Sequence, residues 1–359
     1  MQYKVLVSSI ALPPTTFGSW TNRIMSFQRR LNYFDYVLSP TTEPSERFIF
    51  TKKKELKLWE KASRRRAEKI YRGYLKELRN IAQAGHALQI LVVDDRTLLE
   101  AVVSIKSNLP KGTQIYYSHH GHSLPSNNFV FDQVDKVFFL TESGYKQTLL
   151  TNYQFTPEVF IVGNGVVGEE FSPLSISEKK KQREKFGLGE NDLVISWMAN
   201  SRPVKGLHIF RKVVEKILRI HPEIKIISIG HDPIPTIDHE NWLQVGKIPN
   251  EKLPEYLRLS DVYFFTSLWQ EGFGLSLAEA IKCGNWAISS KLGGIPYLLE
   301  GVDNSILVER PNVVDDWIEA FEIFLKERNR GIKAPDKAKL DQLHSYSNWE
   351  TRFLNALES

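Results

Sequence analysis

Short apolar runs alternate with longer amphipathic stretches along the whole chain, and they do so in two successive rounds. In the first round, strand-like runs fall at Tyr3–Ser9, Asp35–Ser39, Leu88–Asp94, Gln114–His119, Lys136–Leu140 and Glu158–Val162. Helical patterns lie between them, near 19–33, 55–84, 96–107 and 142–151. A strand separated from the next by a helix pairs with it in parallel, and a parallel sheet is covered on both faces. The alternation pauses at Phe171–Gly189, which is polar and charged and contains Pro173, so the domain boundary is placed there. It then restarts, with strands at Leu193–Met198, Ile224–Ile229, Leu243–Val245, Val262–Phe265, Trp286–Ser289 and Ser305–Val308. Helical patterns fall near 205–220, 250–259, 275–283, 294–300 and 313–328. The expectation is an α/β chain of two doubly wound, Rossmann-like domains, 1–172 and 173–345. A last helix, 346–359, would carry Trp349, Phe353, Leu354 and Leu357 on one face. Ligands of such sheets bind beyond the carboxyl ends of the strands, so an interdomain cleft lined by both sets of loops is expected.

Composition excludes several classes. With 42% hydrophobic and 25% charged residues, the chain has the material for packed cores and is not a disordered polymer. Apolar runs such as VFFL at 137–140 are far shorter than the ~20 residues that span a bilayer. MQYKVLVSSI runs directly into a strand pattern, without the basic and apolar regions of a signal peptide. The single cysteine, Cys283, has no internal disulfide partner, which fits a reducing cytoplasm.

The net charge of +5 has a local origin. Residues 52–79 hold 12 Lys/Arg and 4 Glu, a local +8, so the remainder of the chain carries −3. Trp59, Ala62, Ile70, Tyr74, Leu78 and Ile81 are spaced for one face of a long helix, with the cations mostly elsewhere. Such a segment reads either as a solvated helix face or as a surface for anionic lipid headgroups. Nucleic acid is not expected, because no recognised nucleic-acid module accompanies the charge.

The most specific pattern follows the strand Val262–Phe265, where the sequence reads EGFGLSLAE from Glu271 to Glu279. Gly272 and Gly274 let the backbone come close to a ligand, and the helix that starts near Leu275 offers free N–H groups to a phosphate. Glu271 and Glu279 would repel a phosphate but suit sugar hydroxyls, because a carboxylate accepts two hydroxyl donors at once. After the first strand of the same half, NSRPVKG places Arg202 and Lys205 at a strand end, where two cations can neutralise a diphosphate.

These motifs resemble the family 4 retaining glycosyltransferases of the GT-B fold. The family's E-x7-E signature corresponds to Glu271–Glu279, its following glycine–serine pattern to Gly284, Ser290, Gly293 and Gly294, and its phosphate loop to NSRPVKG. FIVGNGVVGEEFSP is similar to the family's segment ahead of the interdomain linker. The resemblance implies that Glu279 holds the nucleotide ribose and Glu271 the donor sugar. It implies that backbone amides at Phe273, Gly274, Leu275 and Ser276 meet sugar and diphosphate. Arg202 and Lys205 would stabilise the departing diphosphate, and Gly246, Lys247 and Ile248 would cup the base. The last helix would cross back onto the N-terminal domain, which would hold the acceptor.

In that first domain the sequence HHGHS follows a strand, and His120, with His119 as its rival, resembles the family's histidine near the donor sugar. Clustered histidines also admit a zinc site or a structural role. The loop ALPPTTFGSWTNR departs from the family's Gly-Gly turn, leaving Gly18 and Ser19 to open the helix beside the diphosphate. Asp94, Asp95 and Arg96 end a strand and read equally as site residues or a helix cap. No D-x-D triplet occurs, so no metal and no cofactor beyond the nucleotide sugar is expected. Taken with the resemblance, the expected reaction is transfer of a sugar from a UDP-sugar, UDP-glucose foremost, with retention. The acceptor would be a glycan, or a lipid-linked glycan at the inner membrane face brought there by residues 52–79, as in surface polysaccharide assembly.

Overall fold

A computed structural model of the 359-residue chain describes residues 2–13, 19–57, 65–125, 131–234, 239–330, 340 and 342–359. The chain divides into two compact units, Met1–Gly163 with Glu350–Ser359, and Asn164–Trp349.

The first unit is built on β1 (Gln2–Ser8), β2 (Tyr36–Ser39), β3 (Phe48–Phe50), β4 (Ala87–Val93), β5 (Gln114–Ser118), β6 (Lys136–Phe139) and β7 (Glu158–Ile161). These form one sheet in the order β3-β2-β1-β4-β5-β6-β7, every pair parallel. Its helices are α1 (Ser19–Leu31), α2 (Arg66–Ile70), α3 (Arg72–Ala82), α4 (Arg96–Ser104) and α5 (Glu142–Leu149). Central strands are apolar on both faces, as a sheet with two covers requires: Val5, Leu6, Val7, Ile90, Leu91 and Val92 are all fully buried. Helix starts follow cap chemistry. Asp95 accepts from Leu98 N at 2.9 Å to open α4, and Thr141 accepts from Gly144 N at 3.2 Å to open α5.

The second unit contains α6 (Ile176–Lys185), β8 (Val194–Met198), α7 (Leu207–Ile220), β9 (Lys225–Ile229), β10 (Trp242–Gly246) and α8 (Leu253–Leu257). It continues with β11 (Val262–Phe265), α9 (Leu275–Lys282), β12 (Trp286–Ser290), α10 (Ile295–Leu298), β13 (Ser305–Val308) and α11 (Val314–Asn329). Its sheet runs β10-β9-β8-β11-β12-β13, again parallel throughout. Trp197 and Phe264 from the sheet pack with Phe210 of α7 and Trp317 and Phe321 of α11 in one core. The final helix, α12 (Tyr346–Glu358), belongs from Glu350 onward to the first unit. There Phe353 packs edge-on against Phe27 and Phe138, at 5.1 and 5.7 Å between centroids, and Gln89 Nε2 donates to Leu357 O at 2.6 Å.

The compact units divide at Gly163/Asn164 and at Glu350, beside expected bounds of 172/173 and about 346, and the final helix itself begins at Tyr346 as expected. The stretch taken as a linker contains α6, which a Ser175–Glu178 capping box opens and a buried Arg183 secures. Arg183 donates to Leu259 O, Glu190 O and Asp192 O and pairs with Asp261 at 2.8 Å. The single helix expected over 55–84 is instead an irregular segment to Lys57 and the helices α2 and α3, which meet at Tyr71. Residues 58–64, including Trp59 and Ala62, lie outside the described residues. Strand β3 was not anticipated: three residues at a sheet edge show no periodicity, and their place is set by backbone bonds such as Thr51 N to Ser39 O at 2.9 Å.

Candidate active site

Strand order in the second sheet reverses direction between β8 and β11, which sit side by side although 63 residues separate Met198 from Val262 in sequence. In open parallel sheets, this point leaves a crevice at the carboxyl ends, because the following loops diverge to opposite faces. The loop after β8 carries Arg202 and then a 3-10 turn, Pro203–Lys205. The loop after β11 carries Ser267, Glu271 and the glycines leading into α9.

Sequence-distant residues meet there. Lys205 Nζ lies 2.7 Å from Glu271 Oε1, and both side chains are largely buried, at 22% and 12% exposure. Ser267 Oγ also donates to Glu271 Oε1, at 2.5 Å. Leu268 N donates to Val204 O at 2.7 Å, and Thr266 Oγ1 donates to Gly206 O at 3.0 Å, so the two loops are stitched together by main chain as well. Among the described residues, nothing bonds Glu271 Oε2, which leaves an acceptor for a ligand hydroxyl.

The loop after β12 sets the height of Glu271. Gly294 N donates to Glu271 O at 2.7 Å. Gly293 has φ +60, and a Cβ there would lie 2.4 Å from Glu271 O and 2.6 Å from Glu271 N. Only glycine allows this approach. Gly274, at φ +93, caps α9, and the amides of Leu275 and Ser276 lie in its first turn, where no carbonyl of the same helix can reach them. Phe273 is buried, edge-on to His344 at 5.2 Å, while Gly272 completes the turn.

Glu279 lies deeper in α9. Burial pushes its carboxyl up to about 8, and among the described residues it has no hydrogen-bond partner. A poorly solvated carboxyl without protein donors is costly when ionised, and two ligand hydroxyls would supply what it lacks.

The loops after β9 and β10 form the flank of the crevice. Gly246 O accepts from Gly230 N at 2.7 Å, and Lys247 Nζ donates to Asp232 Oδ1 at 2.9 Å. Ser201 Oγ donates to Asp232 Oδ2 at 3.2 Å. Asp232 thus ties the loops after β8, β9 and β10 together. Sequence reasoning missed it, although it follows a strand in IGHDP just as the other loop residues follow theirs. Ile248 continues the same loop. Arg202 is less engaged: the residue is exposed, and its backbone N donates to Asn200 Oδ1 at 3.1 Å. The structure groups Lys205, Glu271 and α9 and leaves the Arg202 guanidinium outside that group.

In the first unit, the loop after β5 holds the histidines. His120 Nε2 is 3.1 Å from Ser118 Oγ, its Nδ1 is 3.5 Å from Arg23 Nη2, and its ring lies 5.0 Å from that of Trp20. Asp94 Oδ1 accepts from His120 N at 3.0 Å. Burial, reinforced by Arg23, holds His120 well below the ordinary histidine range, so the ring is neutral. His119 instead packs among Tyr117 and Phe139, and burial lowers it to about 4. Among the described residues, no three His, Cys, Asp or Glu side chains are grouped to hold a metal ion. Asp95 is the cap of α4 and accepts from Tyr71 Oη at 2.5 Å. Gly18 lies outside the described residues, and Ser19 opens α1.

Comparison with known proteins bears on the fold. The chain is 24% identical over 198 residues to the GPI3 subunit of Saccharomyces cerevisiae phosphatidylinositol N-acetylglucosaminyltransferase, covering 52% of this chain and 42% of that protein. The chain thus spans less than half the length of that relative. A solved Rickettsia africae glycosyltransferase shares the fold at TM-score 0.73 and 14% identity, over 99% of this chain and 98% of that one. Anabaena HepE, solved in complex with UDP and glucose, shares it at TM-score 0.66 and 15% identity, over 99% and 100%. Two parallel Rossmann-like sheets and these neighbours give the chain the GT-B fold. Residues 178–340, which carry Lys205, Glu271 and Glu279, match the family described as glycosyl transferases group 1.

Proposed function

We propose that the chain is a glycosyltransferase that moves a sugar from a nucleoside diphosphate sugar to an acceptor hydroxyl. The observation that carries this reading is the Lys205–Glu271 pair beside the first turn of α9. A cation, free helix amides and an open carboxylate oxygen together match a diphosphate joined to a hydroxyl-rich ring. Glu279 would take the ribose diol, and the Gly246–Lys247–Ile248 loop the base. A UDP-sugar, UDP-glucose foremost, is the favoured donor, and a neighbour of the same fold is solved with UDP and glucose.

In the crevice Lys205 and the α9 amides would stabilise the charge that grows on the departing diphosphate. The bond from the anomeric carbon to phosphate oxygen breaks as the bond to acceptor oxygen forms. The acceptor's proton passes to the departing phosphate oxygen, so the sugar keeps its configuration without a covalent enzyme intermediate. No protein nucleophile, metal or further cofactor is invoked. His120, being neutral, would hold a hydroxyl rather than carry charge, and the first unit would hold the acceptor. Arg202 would join Lys205 on the diphosphate once the ligand draws it in.

The acceptor is proposed to be a glycan, or a lipid-linked glycan of surface polysaccharide assembly at the cytoplasmic membrane face. GPI3 bears the name of an enzyme acting on phosphatidylinositol, itself a lipid-borne acceptor. Among the described residues, no helix is long and apolar enough to cross a membrane, so contact would be peripheral. Tyr71, Tyr74, Leu75, Leu78 and Ile81 are buried in the first unit, so among the described residues α3 turns its apolar face inward and offers its cations to a surface. It presents exposed Lys52, Lys53, Arg66, Arg72, Lys76 and Arg79, none with an ion-pair partner among the described residues. Membrane contact through α3 would therefore be by charge.

The test is thermal stabilisation by UDP-, GDP-, ADP- and dTDP-linked sugars, with Glu279→Ala as control. A ligand at ~100 times its dissociation constant adds ~2.7 kcal/mol. Stabilisation of the wild type by one donor, and not of the variant, supports the reading. No stabilisation by any donor counts against it.

A further inference from the structure

Tyr263 stands in β11 fully buried, and its phenol oxygen touches two different elements. Met198 O, at the end of β8, lies 3.0 Å away, and Ser276 Oγ, in the first turn of α9, lies 3.1 Å away. Met198 leads into the loop of Arg202 and Lys205, while Ser276 belongs to the helix start on the other side of the crevice. One buried hydroxyl therefore links both sides of the diphosphate site.

Proton counting restricts what this link can do. A phenol carries one proton, and burial raises its pKa above the ordinary value, so it stays a donor. If Tyr263 donates to Met198 O, Ser276 completes the contact by donating to Tyr263, and its own proton is turned inward. If Tyr263 donates to Ser276 Oγ, the serine proton is released to point elsewhere, and the bond to Met198 O is given up. An ionised oxygen beside Ser276 favours the second arrangement, because a hydrogen bond to an ionised acceptor is roughly twice as strong as a neutral one.

Resting on the donor reading above, we propose that Tyr263 and Ser276 form a hydroxyl relay that reverses direction when a nucleoside diphosphate binds. Ser276 is the group that donates to a phosphate oxygen, and Tyr263 is a positioning residue that acts through it. Tyr263 also holds the serine at the height of the Lys205 loop, so the cation and the hydroxyl reach the same phosphate.

The experiment is calorimetric titration of the full chain with UDP, GDP, ADP and dTDP, and then with the nucleoside of whichever binds. The variants are Tyr263→Phe, Ser276→Ala, the double substitution, and Ser276→Thr. Each of the first two should weaken diphosphate binding roughly tenfold, the scale of one hydrogen bond to a charged group. The double substitution should be no weaker than either single one, because both remove the same bond. Ser276→Thr keeps a hydroxyl and should bind like the wild type. Nucleoside affinity should not change in any variant, which a general loosening of the fold would not spare. Wild-type affinity in Tyr263→Phe, or losses that multiply in the double substitution, would overturn the relay while leaving the donor reading intact. A wild type that binds none of the four diphosphates removes the donor reading and the relay with it.

Discussion

Lys205 Nζ and Glu271 Oε1 are 2.7 Å apart, so the cation of one loop and the acid of another are held by each other. The pair fixes two long side chains in a largely buried setting, which orients them ahead of any ligand. Lys205→Ala and Glu271→Ala should each lower sugar-transfer turnover by at least ~100-fold, the scale of one preorganised contact. Steady-state rates with the donor identified by thermal shift provide the check. Near-normal turnover in both variants would remove the crevice as the reaction centre.

Glu279 makes the site sensitive to pH in a stated direction. Its folded pKa is about 8 against an ordinary 4.5, so the folded state retains a proton that the unfolded state loses. The resulting stabilisation is fully present below about pH 4.5 and is lost as pH rises through about 8. Glu279→Gln keeps a neutral side chain, so its stability relative to wild type should rise across that window. Ribose hydroxyls favour the ionised carboxylate, so nucleotide binding near pH 7 should release a proton. Titration in buffers of different ionisation enthalpy measures that release; its absence would show that Glu279 stays protonated in the complex.

Gly293→Ala should uncouple activity from folding. The new methyl group would lie 2.4 Å from Glu271 O, so the Glu271 loop itself must move. Gly301 is the control: its φ is +75, but a Cβ there meets nothing within 4 Å. Gly301→Ala should cost only the ~1–2 kcal/mol of a left-handed side chain and keep its turnover. Gly293→Ala should lose turnover well below its own unfolding temperature. Equal turnover in the two would contradict the close approach.

Arg183→Ala should be strongly destabilising although the residue touches no site. It leaves Asp261 with Lys179 at 3.0 Å but removes a buried guanidinium that joins Leu259, Glu190 and Asp192. A loss of about 3 kcal/mol is expected in urea unfolding. A loss below about 0.5 kcal/mol would mean that α6 needs no such anchor.

Charge-only membrane contact makes a distinctive prediction. Arg72, Lys76 and Arg79, all exposed on α3, each contribute about 1 kcal/mol near an anionic surface. Vesicles containing phosphatidylglycerol should bind the protein at low salt and release it as ionic strength shortens the Debye length. Replacing the three by glutamate should abolish sedimentation with vesicles without shifting the unfolding temperature. Binding that persists in high salt, or to neutral vesicles, would point to an apolar contact instead.

The two rounds of strand and helix were legible because central strands such as Ile90–Val92 are apolar on both faces and helix starts carry visible caps. The Glu271–Glu279 spacing was legible because a glycine turn opening a helix has a recognisable chemistry. The meeting of Lys205 with Glu271 was not, because 66 positions separate them and the order of β8 and β11 in the sheet brings them together. α6 was misread from its charge, although its Ser175–Glu178 box was in plain sight. The basic segment was legible in part. Its periodic apolar residues and cations implied a helix with a solvated face, which α3 has, but not the bonds from Tyr74 Oη to Ser8 O at 2.9 Å and Thr51 O at 3.2 Å that tie it into the core of its own unit.

Because Glu350–Ser359 packs with Met1–Gly163, the second unit is an uninterrupted insertion, residues 164–349, within the first. The portion synthesised earliest is therefore the portion completed last. At roughly 5–20 residues per second, the opening 163 residues wait tens of seconds on the ribosome before Phe353 can reach Phe27. The inserted unit, by contrast, is whole as soon as its own last residue has emerged, so it can finish folding before the first unit receives its last helix.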